Sequence, residues 1–151
     1  MVVRRGTRLV HVGHGVVHVD EAEPIARRLV VIERELVEVV RAHEPDMASV
    51  EALFFAKDAQ AAGKLGHARG VALLVCARAG LEVFEYPPAR VKRTVAGSGR
   101  AVKSQVAQMI RVILGLASAP PADAADALAV AVTHLQHAPA LAAGMKAGSR
   151  G

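Results

Sequence analysis

The sequence predicts an α/β domain built on a mixed sheet. Three observations carry that expectation. Short runs rich in β-branched residues at 2–19, 47–52 and 81–86 read as strands, the last with clean apolar–polar alternation. Longer stretches repeat apolar residues at three- and four-residue steps, the period of a helix. The two kinds of segment follow one another as β-β-α-β-α-β-α-α.

Val2-Val3-Arg4, the turn Arg5-Gly6-Thr7, and Arg8 through Val12 and on to Val19 read as a hairpin, with a glycine in the turn. Asp20, Glu21 and Glu23 then bring acid to the start of a helix, where its dipole favours negative charge, and Pro24 suits the first turn. From Ile25 to about His43, Leu29, Ile32, Leu36, Val39 and Val40 form one apolar stripe, and Pro45 stops it. Met47 to Ala52 follows as a short strand. A second helix runs from near Lys57-Asp58 to Arg78, and Leu81–Tyr86 is a strand ended by Pro87-Pro88. Ala89–Val95 is a short basic helix or loop, and Val102–Leu114 is a helix with Val106, Met109, Ile110 and Ile113 on one face. Pro120-Pro121 introduces a last helix from about Ala122 to His137, and the remaining tail is rich in Ala, Gly, Pro and Ser.

The chain has 151 residues, enough for one domain with one core. Charged or polar residues interrupt every apolar run before it reaches about 18 residues, so no segment reads as a membrane span. Neither a signal-peptide core nor a cleavage site is visible. One cysteine, Cys76, excludes an internal disulfide and a cysteine zinc cage and points to a reducing cytoplasm; within an apolar helix it reads as an inert thiol. Aromatic residues make up 3%, which argues against single-strand binding on stacked rings. The net charge of +5 is uneven: −1 through Asp46 and +6 from Met47 onward. An anionic partner is therefore expected for the second part of the chain.

Three carboxylates stand out. Glu51 closes an apolar strand, at the end where open α/β sheets bind ligands. Asp123 and Asp126 lie three residues apart at the start of the last helix, on one face. Such a set suits Mg²⁺, which prefers carboxylate oxygens and keeps waters. The plainer reading, that the two Asp residues serve the helix start and its dipole, stands beside it. Asp126 lies among small apolar residues, an expensive place for a carboxylate without a partner.

Arg90, Lys92, Arg93, Arg100 and Lys103 form a basic stretch free of acid, with Gly97-Ser98-Gly99 inside it offering backbone N–H groups to a phosphate. A solvated loop is the competing reading. Gly63, Gly66 and Gly70 in the second helix imply close backbone approach, either to the sheet or to a second subunit. His11, His14 and His18 are expected to diverge, because a strand would put His11 on the opposite face from the other two. Ser98 and Ser104 lack an activating motif.

Several of these segments together resemble the bacterial RuvC family of Holliday junction resolvases. They are Val50-Glu51-Ala52-Leu53-Phe54-Phe55-Ala56-Lys57, Lys64-Leu65-Gly66-His67-Ala68-Arg69-Gly70, Val83-Phe84-Glu85-Tyr86 and Val91-Lys92. Gly97-Ser98-Gly99 with Lys103-Ser104-Gln105-Val106, and Ala122 to Ala129, complete the set. They run in family order and spacing from about Val2 to His137. The resemblance implies a ribonuclease-H-like fold, a homodimer, and symmetric nicking of four-way DNA junctions in recombination and repair. It implies Mg²⁺, two ions per subunit in the complete protein, with Mn²⁺ able to replace it. Glu51, Asp123 and Asp126 fall on the metal ligands, and Lys92 and Lys103 on basic residues facing the scissile phosphates. Phe54 falls on an aromatic that engages bases near the junction point. Lys57, Arg69, Arg90, Arg93 and Arg100 extend the DNA-contacting set. The glycine-bearing helix would sit at or near the dimer interface, and a branch-migration motor complex is a further partner the resemblance brings with it.

One family feature is missing. The family begins with a central strand carrying Asp-Pro-Gly, whose Asp is a fourth metal ligand. No Asp-Pro-Gly occurs here, and Met1-Val2-Val3-Arg4 aligns with the family's second strand. The expectation is a resolvase domain over residues 1–137 without its first strand, followed by a flexible tail at 138–151. A late start codon, a fragment and a natural short form would each give this pattern. Weak or absent nicking is expected, and a junction-binding protein that does not cut is the alternative.

Overall fold

The computed structural model describes residues 1–52 and 59–138. Strands β1 (Val2–Arg5) and β2 (Arg8–His11) form an antiparallel hairpin, with Val2 opposite His11 and Arg5 opposite Arg8. Gly6 closes the turn at φ 61°, a left-handed conformation that glycine adopts without strain. The expected continuation of β2 to Val19 does not form. Past His11 the pairing continues with Val12 N–H to the Met1 carbonyl and the Met1 amine to the Gly13 carbonyl, and Gly13 and Gly15 are residues that weaken a strand. This also corrects the expectation for the histidines. Freed from strand geometry, His11 and His14 meet, Nε2 to Nδ1 at 2.9 Å.

Helix α1 (Ile25–His43) has the expected bounds; it ends where Glu44 turns left-handed and its N–H bonds the Val40 carbonyl, one residue before Pro45. Despite its apolar stripe, α1 holds no fully buried residue. It packs against α2 (Ala59–Arg78), an attachment reinforced by Arg78 to Glu33 at 2.8 Å.

Strands β3 (Met47–Glu51) and β4 (Glu82–Tyr86) pair in parallel, with Glu51 opposite Tyr86. The mixed strand directions are as expected, but among the described residues they form two separate two-stranded ladders.

The carboxyl-terminal half completes the domain with α3 (Pro88–Ala96), α4 (Lys103–Leu114) and α5 (Ala122–His137). The basic stretch at 89–95 is therefore helical. Val91, Val95, Val106, Ile110, Leu114, Leu128 and Val132 interlock as the core, with Ile110 and Val132 fully sealed from water. Helix α5 also lies against β1, β3 and β4, so one helix supports both ladders. No helix among the described residues is long and apolar enough to cross a membrane.

Candidate active site

Glu51 is the last residue of β3, as expected, and the parallel pairing sets it beside the end of β4. The chain leaves both strands on the same side. Ala52 N–H still bonds the Tyr86 carbonyl at 2.9 Å, and Pro87 then caps α3, so Lys92 is carried back toward Glu51. Helix α4 opens with Lys103 and α5 brings Asp126 from below. Glu51, Pro88, Val91, Lys92, Lys103, Val106 and Asp126 together line a cleft of about 220 Å³.

The electrostatics of this cleft are those of crowded carboxylates. Partial burial raises the Glu51 pKa, and the charge on Asp126 raises it further; Lys92 and then Lys103 pull it back. Lys103 Nζ lies 3.3 Å from Asp126 Oδ2. Asp126 is not embedded among its apolar neighbours as its sequence context suggests. Helical geometry turns Ala124, Ala125, Leu128 and Ala129 into the core and leaves the Asp126 side chain 42% exposed toward the cleft.

Asp123 is exposed in the first turn of α5 and is not among the residues lining the cleft. Among the described residues, no three His, Cys, Asp or Glu side chains converge as a metal-binding group. The N-cap of α5 is Pro121, with no side-chain cap bond, so neither Asp serves as a cap; Asp123 in the first turn meets the positive end of the dipole.

The basic residues divide. Lys92 and Lys103 enter the cleft, while Arg93 and Arg100 are exposed and do not line it. Arg90 lies over the Tyr86 ring, 5.4 Å from its centroid. Arg69 is drawn away from solvent into an ion pair with Glu85, its side chain 14% exposed. Phe54 and Lys57 lie outside the described residues.

In the Gly97-Ser98-Gly99 loop and directly after it, three backbone N–H groups are bonded within the chain, one of them in the loop itself. Gly97 N–H bonds Arg93, Arg100 N–H bonds Ser98 Oγ, and Ala101 N–H bonds the Ser98 carbonyl. A Cβ at Gly99 would stand 3.2 Å from the Ala89 carbonyl oxygen, so close packing against α3 explains that glycine. The glycines of α2 are different: an added Cβ at Gly63, Gly66 or Gly70 meets nothing within 4 Å among the described residues. Packing on the sheet therefore does not account for them.

Two supporting residues escaped the sequence reading. Tyr86, the last residue of β4 and the partner of Glu51 in the ladder, and His134 of α5 are buried and bonded to each other at 2.9 Å. The available signal was a polar ring inside the apolar run Val130-Ala131-Val132-Thr133-His134-Leu135.

The family described as crossover junction endodeoxyribonuclease RuvC matches residues 1–134. A protein of that name from Sorangium cellulosum is 59% identical over 138 residues, covering 91% of this chain and 77% of the relative. One from Rhodopseudomonas palustris is 49% identical over 137 residues, covering 91% of this chain and 79% of its own length. Among solved structures, Thermus thermophilus RuvC in complex with a Holliday junction substrate superposes with a TM-score of 0.82 at 38% identity. That match covers 89% of this chain and 82% of the other. A structure of Thermus thermophilus RuvC described without a substrate gives a TM-score of 0.78. With its fold, its carboxylate–lysine cleft and matches over nearly its whole length, the chain belongs to the RuvC family of crossover junction endodeoxyribonucleases.

Proposed function

We propose that this chain binds four-way DNA junctions and hydrolyses a phosphodiester there with a divalent cation held by Glu51 and Asp126. The observation that carries the reading is the cleft in which those two carboxylates face Lys92 and Lys103. The donor set fits Mg²⁺, with Mn²⁺ as a substitute: the oxygens are hard, their mutual repulsion is evident in Glu51, and Mg²⁺ is commonly held by one or two carboxylates plus substrate phosphate. The pair suits one ion. A second would draw on Asp123 and on groups beyond the cleft.

When bound, such an ion supplies Lewis acidity toward a phosphoryl oxygen and a water of lowered pKa. Lys92 and Lys103 neutralise the charge that builds on the phosphate. Val91 and Val106 wall the cleft with apolar surface and strengthen those interactions by keeping bulk water out. Arg93 and Arg100 hold the flanking backbone. The chain acts in the cytoplasm.

Assembly as a homodimer is part of the same reading. Gly63, Gly66, Gly70 and Leu74 share one face of α2 at helical spacing, a Cβ added at any of the three glycines would meet nothing within 4 Å among the described residues, and Leu74 is 46% exposed. Light scattering is expected to report a dimer.

Junction binding without cutting is the second reading. It is favoured by Asp123 standing outside the cleft and by the absence of a three-carboxylate group among the described residues. The deciding experiment is cleavage of a mobile four-way junction with Mg²⁺ against a linear duplex. Slow, junction-selective nicking lost in Glu51→Gln supports hydrolysis, and tight junction binding with no nicking supports the second reading. Equal affinity for the linear duplex contradicts both.

A further inference from the structure

Lys103 and Lys92 both line the cleft, yet they do not stand in the same relation to its acids. Lys103, the first residue of α4, places Nζ 3.3 Å from Asp126 Oδ2 on α5. Its side chain is 68% exposed, so no packing holds the ammonium there and the stem is free to swing. Lys103 thus occupies ground that a cation coordinated by Asp126 needs. An ammonium and a dication cannot share one carboxylate face at close range without strong repulsion.

We propose that Lys103 is an exchangeable counter-ion. It neutralises Asp126 while the cleft is free of metal, is displaced when a divalent cation enters, and in leaving becomes available to the DNA phosphate. The inference rests on the metal-binding reading above and adds a coupling to it. Metal-free, Glu51 and Asp126 are balanced by Lys92 and Lys103. A dication overshoots that balance, and an incoming phosphate corrects it, so ion and DNA favour each other's binding. That coupling is reciprocal.

A general field effect makes a different forecast. Lys92 acts on Glu51 more strongly than Lys103 does, so loss of Lys92 would then promote cation binding at least as much. Direct displacement instead singles out Lys103.

The test is titration of the full chain with Mn²⁺ alone, free ion followed by electron paramagnetic resonance, for wild type, Lys103→Met, Lys92→Met and Glu51→Gln. Lys103→Met is expected to bind Mn²⁺ about two- to fivefold tighter, the range set by losing a competing exposed ion pair. Lys92→Met should gain less. An unchanged affinity in Lys103→Met, or an equal or larger gain in Lys92→Met, overturns the exchange. Wild-type binding that Glu51→Gln leaves intact, or no binding at all, overturns the metal reading beneath it. Junction binding supplies the second arm. In Ca²⁺, Lys103→Met should lower the salt slope by about one phosphate contact, and in EDTA it should leave the slope nearly unchanged. The same loss in both conditions would leave Lys103 as a phosphate contact and remove the exchange.

Discussion

The Tyr86 hydroxyl lies 2.9 Å from Nδ1 of His134, and this contact fixes the state of a buried imidazole. On the other side of the ring, Nε2 faces the Met47 sulfur, which can only accept. In the neutral ring Nε2 then carries the proton and Nδ1 accepts from Tyr86. The Phe84 ring packs against it at a tilt of 36° with centroids 4.4 Å apart, and burial lowers the histidine's pKa. Glu82 pulls the pKa up and Arg4 pulls it down, both less than burial does. The cluster ties α5 to both ends of the β3–β4 pair, and so to the strand that presents Glu51.

A histidine whose folded pKa is lowered binds its proton more readily when unfolded. Its contribution is complete above the ordinary value of 6.5 and is lost as the pH falls below it. Urea midpoints are expected to drop from pH 7.5 to pH 5, and the drop should shrink in His134→Gln. Tyr86→Phe keeps the ring and removes the bond, with an expected loss of about 1 kcal/mol at pH 7.5. A Tyr86→Phe chain as stable as wild type would show that the bond contributes nothing net.

Glu51 runs the opposite way. Its raised pKa means the folded chain disfavours the ionised form, so the penalty is present at neutral pH and fades as the pH falls toward 4.5. Glu51→Gln is therefore expected to be more stable than wild type at pH 7, by less than about 1 kcal/mol given its solvent access. The advantage should vanish near pH 4. Denaturant titration of the two proteins at both pH values checks the sign, and a less stable variant at pH 7 contradicts it.

Much of this was legible in the residues. The α1 and α5 boundaries follow from Pro24, Pro45, Pro121 and the apolar spacing, and β3 and β4 from their β-branched and alternating content, because these signals are local. Glu51 and Asp126 are already grouped by strand-end position and helical spacing, which are local signals, whereas Lys92 and Lys103 join them through the family motifs. What failed depended on partners distant in sequence. The strand at Val12–Val19 lacks a ladder to join, and its collapse brings His11 onto His14. Arg69 reads as one more cation for DNA until β4 supplies Glu85. Asp126 looks buried in sequence because its neighbours are apolar, and only the helix's rotation shows that they face elsewhere.

The Arg69–Glu85 pair carries its own expectation. The guanidinium is largely shielded from water, and its Nη1 has no hydrogen-bond partner among the described residues. Glu85→Ala leaves that charge shielded and uncompensated, with an expected loss of about 1–3 kcal/mol. Arg69→Met removes the desolvated charge along with its partner's role and should be milder. Denaturant midpoints for both single variants and the double variant measure the coupling, and equal losses in the two single variants would argue against it.

The same pairing separates the basic residues by what they give to DNA. A contact that neutralises one phosphate contributes about 0.9 to the slope of log affinity against log salt. Arg93, next to Lys92 in α3, and Arg100, just after that helix, are exposed, so Arg93→Ala and Arg100→Ala should each flatten junction binding by about that amount. Arg69 already spends its charge on Glu85, and Arg69→Met should leave the slope near wild type. Arg90 is intermediate in kind: it keeps its charge exposed but rests its guanidinium over Tyr86. Arg90→Lys preserves the charge and loses the planar stack, so affinity should fall while the slope holds. Fluorescence anisotropy across a salt series distinguishes these outcomes. A full slope change in Arg69→Met would mean that DNA displaces Glu85 from its partner.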